Sequence, residues 1–282
     1  MKTNKILVLT ELDDQSTRLT WYAVDLARKM DVKEIILLNI IIPAHTQAFT
    51  ATGDVFPAEA DLSVHMDQII REKHQQRIET EARRFSDPQV KVKPFVRYSD
   101  SKTHLNHFME EFGAALVVCC SRNEPDFIEK VFGSQTHKLA RRVDYPVIIL
   151  KKETPVEPIE NIVVAIDIEN EEQEGLERIK EFARAIDARL HYLYILIDQK
   201  FTASQAREKL RQLSGNQPEE TIHVIQSDDL ENGMNEYTRK YQPDMVAVLS
   251  QGKGKISRFI YGSGSEEIIE ETNKPVLLSK MH

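Results

Sequence analysis

Short apolar runs bounded by polar turns alternate along this chain with stretches whose apolar residues recur every three or four positions. The first run is KILVL (Lys5–Leu9), followed by an amphipathic stretch ending YAVDLARKMD (Tyr22–Asp31). IILLNIII (Ile35–Ile42) comes next, then a long charged helical pattern, VKPFVRYSD (Val92–Asp100), SKTHLNHFMEEFG and ALVVCCS (Ala115–Ser121). Runs rich in β-branched residues and too short for helices predict buried strands, and the periodic stretches between them predict crossover helices. Strands that alternate with helices predict a doubly wound α/β fold, with parallel strands and helices on both faces. In such sheets a ligand binds beyond the carboxyl ends of the strands, where the strand order reverses.

The pattern occurs twice. KILVLTE at 5–11 returns as NIVVAID at 161–167, YAVDLARKMD as IKEFARAIDA (Ile179–Ala188), and IILLNIII as LHYLYILI (Leu190–Ile197). VKPFVRYSD returns as TIHVIQSD (Thr221–Asp228) and ALVVCCS as MVAVLS (Met245–Ser250). FGSQTHKLARRVDYPVIIL (Phe132–Leu150) returns as YGSGSEEIIEETNKPVLLS (Tyr261–Ser279). The offset is 156 residues at the start and 129 at the end, a difference of 27 that falls between the second and third strands of the first half. Residues 43–85 therefore hold an insert, loop-like at first and then a charged helix, expected to act as a lid or a packing extension. The expected domains are 1–150 and 161–282, joined by the proline-containing linker KKETPVEPIE at 151–160.

Composition narrows the function. The chain has 282 residues, 41% hydrophobic and 29% charged, with a formal net charge of −8. Twenty lysines and arginines meet twenty-one acids in residues 1–150, against seventeen and twenty-four in 151–282, so the halves carry −1 and −7. An acidic chain without a basic stripe is a poor binder of nucleic-acid backbone. No apolar run approaches the ~20 residues of a membrane helix. The start, MKTNKILVLTELDD, turns acidic before a secretory core develops, and the two cysteines, Cys119 and Cys120, are neighbours that a strand sends to opposite faces. A reducing cytoplasm fits these features.

The stretch SQGKGKISRFIYGSGSEE (Ser250–Glu267) carries the most suggestive chemistry. Glycines such as Gly252 and Gly254 let backbone N–H groups approach a phosphate, and a following helix start adds partial positive charge. Gly262, Ser263 and Ser265 would supply close approach and hydroxyls, and Lys253, Lys255 and Arg258 charge. Equally, Ser263 or Ser265 can serve as an N-cap, with Glu266 and Glu267 favouring the helix dipole. Asp167, ending the first strand of the second half, can accept from a base or ribose donor or cap the next helix; Glu11 has the same two readings. His104 and His107, like His65 and His74, lack a third ligand at suitable spacing and read as structural. No Ser-His-Asp, P-loop or zinc-protease pattern is present, so dedicated catalysis has no visible machinery.

These residues resemble the universal stress protein family, as a tandem of two such domains over almost the whole chain. KILVLTE and NIVVAID look like the family's first strand, and the GS…NKPVLL ending like its last helix and strand. The family's nucleotide motif, G-x2-G-x9-G-[S/T], maps in the second half onto Leu249, Gly252, Gly262 and Ser263, so one glycine is replaced. Asp167 then matches the strand-end Asp that contacts adenine, and Ile195 the residue that offers its backbone to the base. In the first half the motif falls on Cys120, Asn123, Gly133 and Ser134, Glu11 replaces the Asp, and Glu124, Asp126 and Glu129 stand where a phosphate would lie.

The resemblance implies two five-stranded parallel sheets of adenine nucleotide alpha hydrolase-like, Rossmann-like topology, arranged as an internal pseudo-dimer whose last strands meet. It also implies ATP or another adenine nucleotide, with Mg²⁺, in the second domain, at most slow hydrolysis, and a cytoplasmic stress-response regulatory module. A homodimer is a further option. The competing reading is a non-nucleotide scaffold that engages a protein partner through the insert or the acidic second half. An adenylyl-transferring or pyrophosphatase-type enzyme is weaker, because no phosphate loop follows the first strand.

Overall fold

The computed structural model describes residues 5–41, 57–85, 87–98, 105–120, 143–151, 154–168, 173–197, 200–215, 217–250 and 274–280. The first half comprises β1 (Lys5–Leu9), α1 (Ser16–Lys29), β2 (Glu34–Ile41), α2 (Pro57–Arg83), β3 (Lys91–Tyr98), α3 (Leu105–Phe112), β4 (Leu116–Cys120) and β5 (Val147–Leu150). The second comprises β6 (Asn161–Ala165), α4 (Gln173–Ala185), β7 (Arg189–Leu196), α5 (Ala203–Ser214), β8 (Ile222–Gln226), α6 (Leu230–Tyr241), β9 (Met245–Ser250) and β10 (Val276–Lys280). The fourth helix expected in each half lies outside the described residues.

The ten strands form one continuous sheet in the order β3-β2-β1-β4-β5-β10-β9-β6-β7-β8. Each half contributes five parallel strands, and antiparallel pairing of β5 with β10 fuses them, Ile148 opposite Leu277. The two sheets the resemblance implies are therefore two halves of one. The apolar faces of both closing strands require this: Val147–Leu150 is buried throughout, as are Val276 and Leu277. Alternate strand residues feed opposite faces. Ile6 and Val8, with Ile162 and Val164, pack under α1, α2, α4 and α5; Leu7 and Leu9, with Val163 and Ala165, pack under α3 and α6. The corresponding helices of both halves lie on the same face while their strands run oppositely. A pseudo-twofold axis normal to the sheet is the operation that does both.

The repeat extends to the caps. Asp31 (φ 55°) and Asp187 (φ 56°) each end a helix in the left-handed region. Behind them the Val32 amide donates to the Ala27 carbonyl and the Ala188 amide to the Ala183 carbonyl, the long bond of a Schellman closure. Asp tolerates this conformation because its short polar side chain bonds locally. The interdomain segment is not a free tether: Thr154 and Ile159 are buried, and the Lys151 amide donates to Thr154 Oγ1 at 2.8 Å. Arg18 of α1 clamps it by donating to the carbonyls of Lys151 (2.6 Å) and Thr154.

Candidate functional site

Parallel pairing within each half, reversed at the β5–β10 seam, sends the carboxyl ends of the two sets of strands to opposite edges of the sheet. The two expected crevices are thus remote from each other, and each must be built from its own half.

In the second half β6 pairs with β7 through Ala165↔Leu193, and the Ile166 amide still donates to the Leu193 carbonyl at 2.9 Å. Among the described residues this is the last bond between the two strands. Continued by two residues, the register sets Asp167 beside Ile195. Backbone groups of alternate strand residues face opposite neighbours. The Leu193 carbonyl faces β6, and the Leu196 carbonyl faces β8, where it accepts from the Ser227 amide at 3.2 Å. Ile195 therefore turns its amide and carbonyl toward β6, past the point where pairing stops. Its side chain goes the other way, buried on the α6 face. It is held there by an approach that sequence reasoning missed: a Cβ added to Gly233 would lie 2.6 Å from Ile195 Cγ2. A glycine inside the helical pattern ENGMNEYTRKY was the available signal.

Asp167 itself is half-buried between the buried Ile166 and Ile168. Leu249, at the replaced glycine position, lies inside β9 with its side chain fully buried in the core rather than in the crevice. Gly252, Gly262, Ser263 and Ser265 lie outside the described residues, as do Lys253, Lys255 and Arg258. The register of β6 on β7 thus runs Asp167 toward Ile195 at the end of the pairing.

The first half has the same frame with different contents. The Thr10 amide donates to Leu38 at 2.9 Å, so Glu11 and Ile40 hold the places of Asp167 and Ile195. Here, however, a side-chain network crosses the crevice floor. Thr10 Oγ1 donates to Ser16 Oγ at 2.7 Å, and Asn39 Nδ2 donates to the Thr10 carbonyl at 2.8 Å. His74 Nδ1 lies 2.7 Å from Asn39 Oδ1, which as an acceptor makes that nitrogen the N–H. Burial, reinforced by Arg77 and Lys73, lowers the His74 pKa and keeps the ring neutral. Arg77 donates to the carbonyl of Leu12, a buried non-glycine residue at φ 59°. His107 is exposed on α3, whereas His65 and His104 lie among side chains outside the description.

His74 and Arg77 both come from α2, which identifies the insert. In its described part the insert lengthens the crossover helix, 27 residues in α2 against 12 in its counterpart α5. Ile78 and Ala82 bury into the core, while Ile69 and Ile70 are exposed more than two turns earlier. Between α2 and the start of α1 lies a cavity of about 650 Å³ whose lining sets Lys73, Arg77 and Arg84 against Asp13, Asp14 and Glu81. Arg84 is bonded to Thr17 and Glu81, both at 3.1 Å, so these charges largely answer one another. Such a lining offers an anion no net attraction. At the end of β4, Cys120 occupies a motif glycine position, and burial raises its thiol pKa to about 11. Among the described residues no three His, Cys, Asp or Glu side chains cluster to hold a metal ion, and no helix is long and apolar enough to cross a membrane.

The family model described as the universal stress protein family matches residues 2–151 and again 158–280. The chain belongs to this family, as a tandem member. Curated relatives include universal stress protein G of Shigella flexneri and of Escherichia coli O157:H7. Each is 27% identical over 105 residues, covering 34% of this chain and 73% of theirs. Among solved structures, a universal stress protein from Archaeoglobus fulgidus DSM 4304 aligns with 99% of this chain and 96% of its own, at 19% identity and a TM-score of 0.63. A functionally unknown protein from Pseudomonas aeruginosa PAO1 covers the same share of this chain and 93% of its own, with 17% identity and a TM-score of 0.61. These likenesses establish the α/β fold.

Proposed function

We propose that this tandem universal stress protein binds one adenine nucleotide, ATP with Mg²⁺ in the first instance, at the carboxyl edge of its second half. It acts as a cytoplasmic stress-response regulatory module and not as a dedicated catalyst. One observation supports the reading: the β6–β7 register, continued past its last bond at Ile166, carries Asp167 toward Ile195, whose amide and carbonyl lie on the side toward β6. An amide, a carbonyl and a carboxylate converging at a strand end present the donor and acceptors that an adenine edge and a ribose require. The phosphates would extend over Gly252 and Gly262-Ser263, with Ser265 at the following helix start. Mg²⁺ would be held chiefly by phosphate oxygens and water, as that ion prefers. The first half, its floor crossed by Thr10, Asn39 and His74, takes no nucleotide. The domains on this reading are 1–150, with the degenerate motif, and 161–282.

Calorimetric titration with ATP tests this. The expected result is one site per chain, weakened at least tenfold by Asp167→Ala and by Gly262→Val and unaffected by Glu11→Ala. Absence of heat with ATP, ADP and AMP overturns the reading. It would leave the scaffold alternative, for which Ile69 and Ile70, exposed on α2, offer a partner surface.

A further inference from the structure

At the amino-terminal edge of the second half, opposite the proposed nucleotide crevice, two imidazoles from neighbouring strands meet. His191 Nδ1 of β7 lies 3.2 Å from His223 Nε2 of β8, and His191 Nε2 lies 3.2 Å from Asn161 Oδ1 at the start of β6. Both rings are half-buried. The amide oxygen of Asn161 can only accept, so His191 carries its proton on Nε2. Its Nδ1 is then a lone pair, and His223 must donate to it from Nε2–H. The chain has one self-consistent arrangement, with both rings neutral.

A metal ion does not fit the same pair. The ring centroids stand 5.4 Å apart, nearly the N···N distance plus the two short spans from centroid to nitrogen, so the nitrogens point at each other along a line. An ion held at about 2.0–2.1 Å from each imidazole cannot sit on a line 3.2 Å long. A proton can.

The far side of His223 is packed on the end of α6. Its ring stands edge-on to Tyr237, with centroids 5.1 Å apart, and tilted against Tyr241 at 4.9 Å; those two tyrosines stack on each other at 4.6 Å. Tyr237 is buried and Tyr241 is nearly half exposed, so this last turn of α6 is the part of the helix with least to lose by detaching. We propose that the Asn161–His191–His223 chain is a proton-operated latch, which holds the last turn of α6 against β7 and β8 at neutral pH and releases it in mild acid.

The surrounding charges set the direction. Lys240 on α6 and Arg207 on α5 act on His223 with positive charge, as Arg189 on β7 does on His191, and the Arg207 charge is shared with Glu219. Asp244, at this edge, is spent on the amides of Glu160 and Asn161 at 3.0 and 2.9 Å. Tyr237, whose own ionisation burial pushes upward, stays neutral throughout. A first proton can add to His223 Nδ1 without breaking the chain, but it charges a half-buried ring among cations. A second, on His191 Nδ1, sets two N–H donors against each other. Burial foremost, and then His191, Arg207 and Lys240, pushes the His223 pKa down to about 4, and burial and Arg189 lower that of His191. Released imidazoles titrate at about 6.5. The open form therefore binds more protons between these limits. The latch is fully effective above pH 6.5 and fades as pH falls toward 4, with His223 alone raising the released population about thirtyfold at pH 5.

Ring NMR of the full chain from pH 8 to 4, with amide exchange of residues 235–241 measured against intrinsic rates, tests this. Expected are a His191 ring protonated on Nε2 only at pH 7, both imidazoles titrating below 6.5, and protection of the last α6 turn falling at least tenfold between pH 7 and pH 5. In His223→Gln, whose side-chain amide reproduces the Nε2–H donor without titrating, that protection should stay level over the same interval. An imidazole pair titrating at 6.5 or above overturns the latch, as does acid-insensitive protection in the native chain or the same acid loss in His223→Gln. Should the variant not fold, the native ring titration decides alone.

Discussion

At the scale of single residues, Gly233 sets two tendencies against each other. Replacing a mid-helix glycine by alanine ordinarily stabilises by up to about 1 kcal/mol. Here the added methyl would meet Ile195 Cγ2 at 2.6 Å inside a packed face, and overpacking of that kind costs about 1–3 kcal/mol. Gly233→Ala should therefore lower the urea midpoint, and by displacing Ile195 weaken ATP as well; a raised midpoint would show that the approach relaxes freely. Leu249 is a second case where position matters more than type. It departs from the family motif, yet its side chain fills core, so Leu249→Ala should cost about 2–4 kcal/mol of stability by urea denaturation as a cavity mutation. Neither consequence could be read along the chain. The replacement at 249 is visible in the sequence, but the direction of its side chain depends on the register of β9 between β6 and β10. The His191–His223 and Asn39–His74 pairs were hidden likewise, because each joins residues more than thirty positions apart through strand or helix packing.

Among elements, α2 departs most from the repeat. Its pattern predicted a charged helix, expected to act as a lid or a packing extension. What the pattern could not supply was the level at which the helix docks. Among the described side chains of α2, Ile78, Glu81 and Ala82, late in the helix, are buried, whereas Ile69 and Ile70 are exposed. Ile78→Ala should cost about 2–4 kcal/mol, whereas Ile69→Ser should change stability by less than about 0.5 kcal/mol. Equal effects on the urea midpoint would mean that Ile69 is packed after all. By contrast, strand and helix order was legible because buried strands and amphipathic helices have different periods, and the closing Asp31 and Asp187 marked the repeat at the same offset. On α6, the Asp229 side chain accepts from the Asn232 amide at 2.8 Å as N-cap, and Asp229→Ala should cost about 1 kcal/mol.

For the whole molecule, the seam between β5 and β10 decides how the halves behave. One sheet and two shared core layers predict a single cooperative transition. Trp21, the sole tryptophan, stacks edge-on against Phe85 in the first half, while far-UV dichroism reports both halves. The two signals should coincide during urea unfolding. Leu277→Asp, which buries a charge opposite Ile148, should separate them or lower both steeply. Before the structure, this seam was available only through resemblance, since nothing in PVIIL or PVLLS names its neighbour.

The seam also determines what covalent fusion of the two domains achieves. Within the chain, the sheet ends at β3 and β8. β3 is interrupted by Pro94, which has no N–H to offer an incoming strand, and carries Lys91 and Lys93; β8 is only five residues long. Such margins resist extension by another strand. Cutting the chain at the linker would replace this closed state with two fragments, each ending in an apolar strand with an unpaired row of backbone groups. The first fragment should then pair with its own copy through β5 and the second through β10. Tethering thus imposes unlike pairing: each chain carries one half of each kind at fixed one-to-one stoichiometry, without competition from like partners.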